Sequence, residues 1–128
     1  MLATGALLWS LNTLCLAETL YYESRGEDLE AQLLVAEVVI NRTEDPEFPS
    51  TVCGVVYQPG QFSWSDNKPE KVETEAWAAA VALAVSVQLG EEPLLGTEAV
   101  AFHSGPRPKN FGNFQLLGQV GQHKFYTK

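Results

Sequence analysis

Between Leu29 and Ile40 the chain is apolar on nearly every side. Leu29, Leu33, Ala36 and Ile40 form one helical stripe, and Leu34, Val35, Val38 and Val39 stand beside it. A helix of that kind has to be surrounded, which predicts a central helix with the other elements packed about it. A second helical pattern precedes it, with Leu7, Leu8, Leu11, Leu14, Ala17, Leu20 and Tyr21 at three- and four-residue steps, the mark of a helix with one buried face. Both patterns aim their ends at Tyr21-Tyr22-Glu23-Ser24-Arg25-Gly26-Glu27. Gly26 suits a left-handed turn, and Glu27, Asp28 and Glu30 put negative charge where the second helix dipole favours it.

Glu23 sits at the opposite kind of helix end. The negative pole of the first helix, repulsion from Glu27 and burial would each raise its pKa, while Arg25 would oppose them. A glutamic acid still protonated near neutral pH is what protonating a glycosidic oxygen requires. The competing reading is a solvated cap-and-salt-bridge cluster of Glu23, Arg25 and Glu27 between two core helices. Charged helix ends are more often structural, and the residues alone leave the choice open.

The run Cys15-Leu16-Ala17-Glu18-Thr19-Leu20-Tyr21-Tyr22-Glu23-Ser24-Arg25-Gly26-Glu27, followed by Ala31 to Arg42, resembles the opening of the spore-cortex-lytic (SleB-type) cell-wall hydrolases. Phe48 to Gln58 and Gln61-Phe62-Ser63-Trp64 resemble the family's middle, and Gly121-Gln122-His123-Lys124-Phe125-Tyr126 its closing strand. The resemblance runs from about Leu14 to Tyr126. It implies peptidoglycan cleavage in a lysozyme-like, transglycosylase-related domain, with Glu23 as the acid.

At 128 residues the chain has room for one domain, taken as 1–128, and not for a separate wall-binding module. Its net charge of -8 argues against a nucleic-acid partner, since no basic stripe is present to neutralise phosphates. An acidic enzyme also gains no long-range attraction to an anionic cell wall. The apolar run within Met1 to Leu16 has no basic n-region and no clear cleavage site, and Ser10, Asn12 and Thr13 make it too polar to span a bilayer. It is read as helix, with no integral membrane segment. Action on the wall, periplasmic or extracellular, then requires another route, such as that of a phage lysin released from the host cytoplasm, or a chain trimmed of its signal.

Cys15 and Cys53 are expected as free, buried, small hydrophobes, the commoner state for two cysteines in such a chain. The alternative is a bridge pinning the later loop to the helix that carries Glu23. Two cysteines and two histidines at these spacings make no zinc signature, and neither metal nor other cofactor is expected. Thr43 to Pro49 reads as a loop and Thr51 to Tyr57 as a short helix. In Gln61 to Ser65, aromatic and hydrogen-bonding residues alternate, as sugar faces and their hydroxyls require. Phe62 is assigned to the core, and Gln61, Ser63 and Trp64 to the cleft. Glu70 to Leu89 reads as the longest helix, stopped by Gly90.

Thr97 to Ser104 and Leu116 to Tyr126 read as two strands, with His103 and His123 meeting across the pair. Each histidine is either structural or a substrate contact. The loop Gly105 to Asn113, with Arg107 and Lys109, is a candidate grip for stem-peptide carboxylates or a lactyl group. The fold expected is α+β, mostly helical and lysozyme-like, with a small antiparallel sheet late in the chain.

The expected reaction is lytic transglycosylation by a monomer, with peptidoglycan glycan strands as the partner, Glu23 catalytic, and Tyr22, Glu27, Gln61, Ser63, Trp64, His103 and His123 binding substrate. Muramidase hydrolysis with Glu27 as second carboxylate is the nearest alternative. An N-acetylmuramoyl-L-alanine amidase and a non-catalytic glycan-binding module are the others.

Overall fold

The computed structural model describes residues 2–128; Met1 of the expected first helix lies outside them. Helix α1 (Leu2–Ser24) is followed by α2 (Leu29–Thr43), the short α3 (Val52–Val56) and α4 (Thr74–Leu89). Strands β1 (Ala101–His103), β2 (Gln115–Val120) and β3 (His123–Thr127) then form one antiparallel sheet in the order β1-β3-β2. The architecture is the mostly helical α+β arrangement with a late small sheet.

Helix α2 is buried from Leu33 to Val39, as its apolarity requires, and packs against α1, α3 and β1, while α1 meets all three other α-helices. Glu37 is buried among these residues, and it accepts hydrogen bonds from the amides of Gly96 (2.8 Å) and Thr97 (2.7 Å) and from the Thr97 hydroxyl. This buried carboxylate ties the segment leading into β1 to the core helix. The turn into α2 has Gly26 at φ 83°, in the left-handed region, and Gly90 ends α4 at φ 76°.

The structure corrects four expectations about the fold. From Gly5 onward along α1, burial begins at Thr13; Leu7, Leu8, Leu11 and Leu14 are exposed, so the stripe that starts at Leu7 is a core face only over its C-terminal part. The longest helix is α1, with 23 residues, rather than α4, which begins only at Thr74 and has 16. The expected strand Leu116 to Tyr126 is a hairpin, broken at Gly121, whose φ of 59° turns the chain back. The cysteines are bridged: Cys15 and Cys53 form a disulfide with Cα atoms 5.3 Å apart, pinning α3 against α1. Sequence spacing carries no information on which residues meet across 38 positions.

Candidate active site

Glu23 lies in the last turn of α1, and its side chain points towards the chain segment before α4 rather than along the surface. Its Oε2 accepts a hydrogen bond from the indole Nε1 of Trp64 at 2.9 Å. Trp64 sits in a 3-10 turn at Ser63–Ser65, is buried, and packs between the rings of Tyr22 (centroids 4.7 Å) and Phe62 (5.5 Å). Tyr22 is itself fixed, its hydroxyl donating to the Pro69 carbonyl at 2.5 Å. Burial raises the Glu23 pKa above the ordinary carboxyl value, and the indole bond, which favours the ionised form, opposes it. The acid therefore keeps its proton into a higher pH range while being held in one orientation.

Glu23 and Ser104 are shared by two adjoining hollows. The larger, about 450 Å³, is walled by Phe62, Phe102 and Phe111 together with polar groups from Arg42, Gln61 and Asn110. The smaller, about 220 Å³, is bounded by the turn after α1 and by Gln122 and His123. An acid at the junction of two hollows, with rings and amides along one of them, can protonate a bridging oxygen between sugars lodged on either side.

The sequence-derived site residues divide between these surfaces. Gln61, Ser63 and His103 line the larger cleft with Glu23; Glu27 and His123 line the smaller one. Trp64 and Tyr22 line neither. They stand behind Glu23 as a stacked support, and the assignment of Phe62 and Trp64 is reversed: Phe62 forms cleft wall and Trp64 is core. The histidines do not meet. The register pairs His103 with Lys124 and Phe102 with Phe125, which puts His103 and His123 on opposite faces of the sheet. His103 Nε2 lies 2.8 Å from the Tyr126 hydroxyl, and the Nδ1 atoms of both histidines are buried without a hydrogen bond.

The solvated salt-bridge cluster is not formed. Arg25 pairs with Glu73 and lies over the Tyr21 ring, and Glu27 accepts from the Gln122 amide at 3.0 Å. Glu27 Oε1 is also 3.3 Å from His123 Nδ1, though not aligned for a hydrogen bond. Repulsion from Glu27 is not among the causes of the raised Glu23 pKa; burial is. In the Gly105 to Asn113 loop Arg107 is engaged internally, donating to the carbonyls of Gly112 (3.1 Å) and Phe114 (2.8 Å). Arg42, Asp66, Phe102 and Ser104 line the larger cleft without having been marked in the sequence, while Phe111 comes from the loop that was. Arg42 was visible only as the end of a helix.

A model of the family described as Cell Wall Hydrolase matches residues 26–126. This chain belongs to that cell wall hydrolase family. Among the relatives of this cell wall hydrolase are the spore cortex-lytic enzymes of Bacillus subtilis and Bacillus cereus, each 44% identical over 48 residues, or 38% of this chain. That stretch covers 16% and 18% of those proteins, so the chain spans about a sixth of the curated relatives it matches. The catalytic domain of the germination-specific lytic transglycosylase SleB from Bacillus anthracis superposes with a TM-score of 0.68 at 25% identity, over 91% of this chain and 93% of that one. The SleB catalytic domain of Bacillus cereus gives 0.65 at 26% identity, over 91% of each. Glu23 stands just before the range matched by the family model, so its role rests on the geometry around it.

Proposed function

We propose that residues 1–128 act as one catalytic unit, a monomeric lytic transglycosylase cleaving the bond between N-acetylmuramic acid and N-acetylglucosamine in peptidoglycan. The observation that carries this reading is Glu23: a half-buried carboxylic acid of raised pKa, oriented by Trp64 at the junction of two hollows. Glu23 gives its proton to the glycosidic oxygen as the bond from that oxygen to C1 of the muramoyl unit breaks. The muramoyl 6-hydroxyl then closes onto C1 and returns its proton to Glu23, leaving a 1,6-anhydro ring. One acid that becomes a base suffices.

Retaining or inverting hydrolysis calls for a second positioned carboxylate. Two other carboxylates line the hollows: Asp66, in the larger one, is exposed and no hydrogen bond among the described residues orients it, and Glu27 anchors the β2–β3 turn, where a Cβ on Gly121 would come within 2.7 Å of Glu27 Oε2. The likeness to the catalytic domain of the lytic transglycosylase SleB from Bacillus anthracis supports the same choice. Peptidoglycan as substrate puts the work at the bacterial wall, in periplasmic or extracellular space, where the Cys15–Cys53 disulfide is at home. Among the described residues no helix is long and apolar enough to cross a membrane.

Digestion of purified peptidoglycan by wild type and Glu23→Gln, with fragments weighed by mass spectrometry, tests the proposal. The expected products end in 1,6-anhydromuramic acid and are absent with the variant. Reducing ends, one water heavier, would replace it with muramidase chemistry, and free stem peptides would end the Glu23 mechanism.

A further inference from the structure

Arg42 is a cation with no counter-ion. Its side chain comes off the last turn of α2 and is buried, only 7% exposed, yet none of the ion pairs among the described residues includes it. That is anomalous in a chain with sixteen acidic residues and eight basic ones. A buried charge is ordinarily paired, because desolvation without compensation is expensive. Burial alone is enough to bring the guanidinium pKa down to about 10.

The surroundings hold the group in place without neutralising it. Nε donates to the Val100 carbonyl at 2.6 Å and Nη1 to Gln61 Oε1 at 2.7 Å, and the guanidinium lies over the Phe48 ring with its carbon 4.8 Å from the centroid. Nη2 has no protein partner among the described residues, and it is not among the buried polar atoms lacking one. Arg42 lines the larger cleft, which it shares with Glu23. It is also the only lysine or arginine in that lining; of the two cations expected there from sequence, Arg107 is taken up by its own loop and Lys109 does not reach the cleft.

We propose that Arg42 is a carboxylate-binding subsite and that its missing counter-ion arrives with the substrate. This rests on the peptidoglycan reading and refines it: the strand bound in the larger cleft carries a carboxylate on its muramoyl side. Two sources share that chemistry, a free lactyl carboxylate and a stem-peptide carboxylate. A fixed guanidinium with an open edge suits either, as a planar donor needing no reorganisation. Gln61 then acts as a positioning residue, holding Nη1 so that Nη2 faces the cleft.

The test is binding, measured calorimetrically with Glu23→Gln so that no turnover intervenes. The ligands are soluble glycan strands in four forms: peptide-bearing or peptide-free, each native or with its carboxylates methyl-esterified. Native strands of at least one kind are expected to bind about tenfold or more tightly than their esters, as for a charge-assisted hydrogen bond made on binding. The kind showing the difference identifies the carboxylate. Arg42→Gln in the same background is expected to bring native and esterified strands to equal affinity, and Arg42→Lys to restore part of the gap. Equal binding of native and esterified strands by the Arg42-containing protein would overturn the proposal, and that comparison needs no Arg42 variant to fold. A merely structural Arg42 would weaken both forms together and leave their ratio unchanged, which would also overturn it. Failure of wild type to cleave strands that it binds with a carboxylate preference would count against the transglycosylase reading and not against this one.

Discussion

The indole nitrogen of Trp64 reaches Glu23 across 41 positions of sequence, donating at 2.9 Å to the carboxylate oxygen Oε2. Burial and this bond pull the acid in opposite directions: burial favours the protonated form, the indole the ionised one. Trp64→Phe keeps an aromatic ring between Tyr22 and Phe62 and removes the donor together with part of the buried ring surface. The Glu23 pKa is expected to rise further, moving the alkaline limb of the activity profile to higher pH. With orientation lost, kcat is expected to fall about tenfold. A pH series of kcat and of kcat/KM on purified peptidoglycan reads both, and an unchanged limb would show that the bond does not set the acid.

Glu23 should also register in stability. Its folded-state pKa is raised, so the folded chain holds the proton more tightly than the unfolded one. Stability is then greatest below the unfolded carboxyl value and declines as pH rises through the folded value. Glu23→Gln has no proton to lose and is expected to melt higher than wild type at about pH 8, the difference closing towards about pH 3. Thermal midpoints of the two proteins at both pH values are the measurement. A variant less stable than wild type at every pH would contradict a destabilising buried acid.

Glu27 separates the two glycosidase chemistries. As an anchor for the β2–β3 turn, Glu27→Gln keeps one acceptor for the Gln122 amide, so a loss of about 1 kcal/mol of stability is expected, with anhydro products still formed. A nucleophile or base lost at that position would instead cut kcat by about a hundredfold or more. Urea unfolding together with product mass distinguishes them.

The Cys15–Cys53 bridge closes a loop over a sequence separation of 38. Reduction, or replacement of both residues by serine, is expected to destabilise the fold by about 2–4 kcal/mol, chiefly by freeing the unfolded chain. Denaturant midpoints with and without reductant give the figure; identical midpoints would mean that the bridge does not constrain the unfolded state.

Glu37→Leu removes the acceptor for Gly96 and Thr97 while retaining bulk in the core. The stranded amides should cost about 2–4 kcal/mol, and the activity profile of the folded fraction should keep its pH limbs. A shifted limb would connect Glu37 to the acid, against the structural role assigned to it.

What the sequence determined by itself was local. The apolarity of Leu33 to Val39 marked α2 as a buried helix, glycines at 26 and 90 placed left-handed turns, and Glu23 at a helix end stood as a candidate acid that the residues alone did not separate from a structural cluster. Each of those signals is carried within a turn or two of chain. Tertiary structure alone decided which surfaces meet. It turned Trp64 inward and Phe62 outward, joined Cys15 to Cys53, left Gly5 to Leu11 of α1 uncovered, and buried Arg42 without a counter-ion. Periodicity tells a residue's face but not what lies opposite it. Both the environment that raises the Glu23 pKa and the cation beside the cleft are made by segments distant in sequence, so their chemistry exists only once those segments pack.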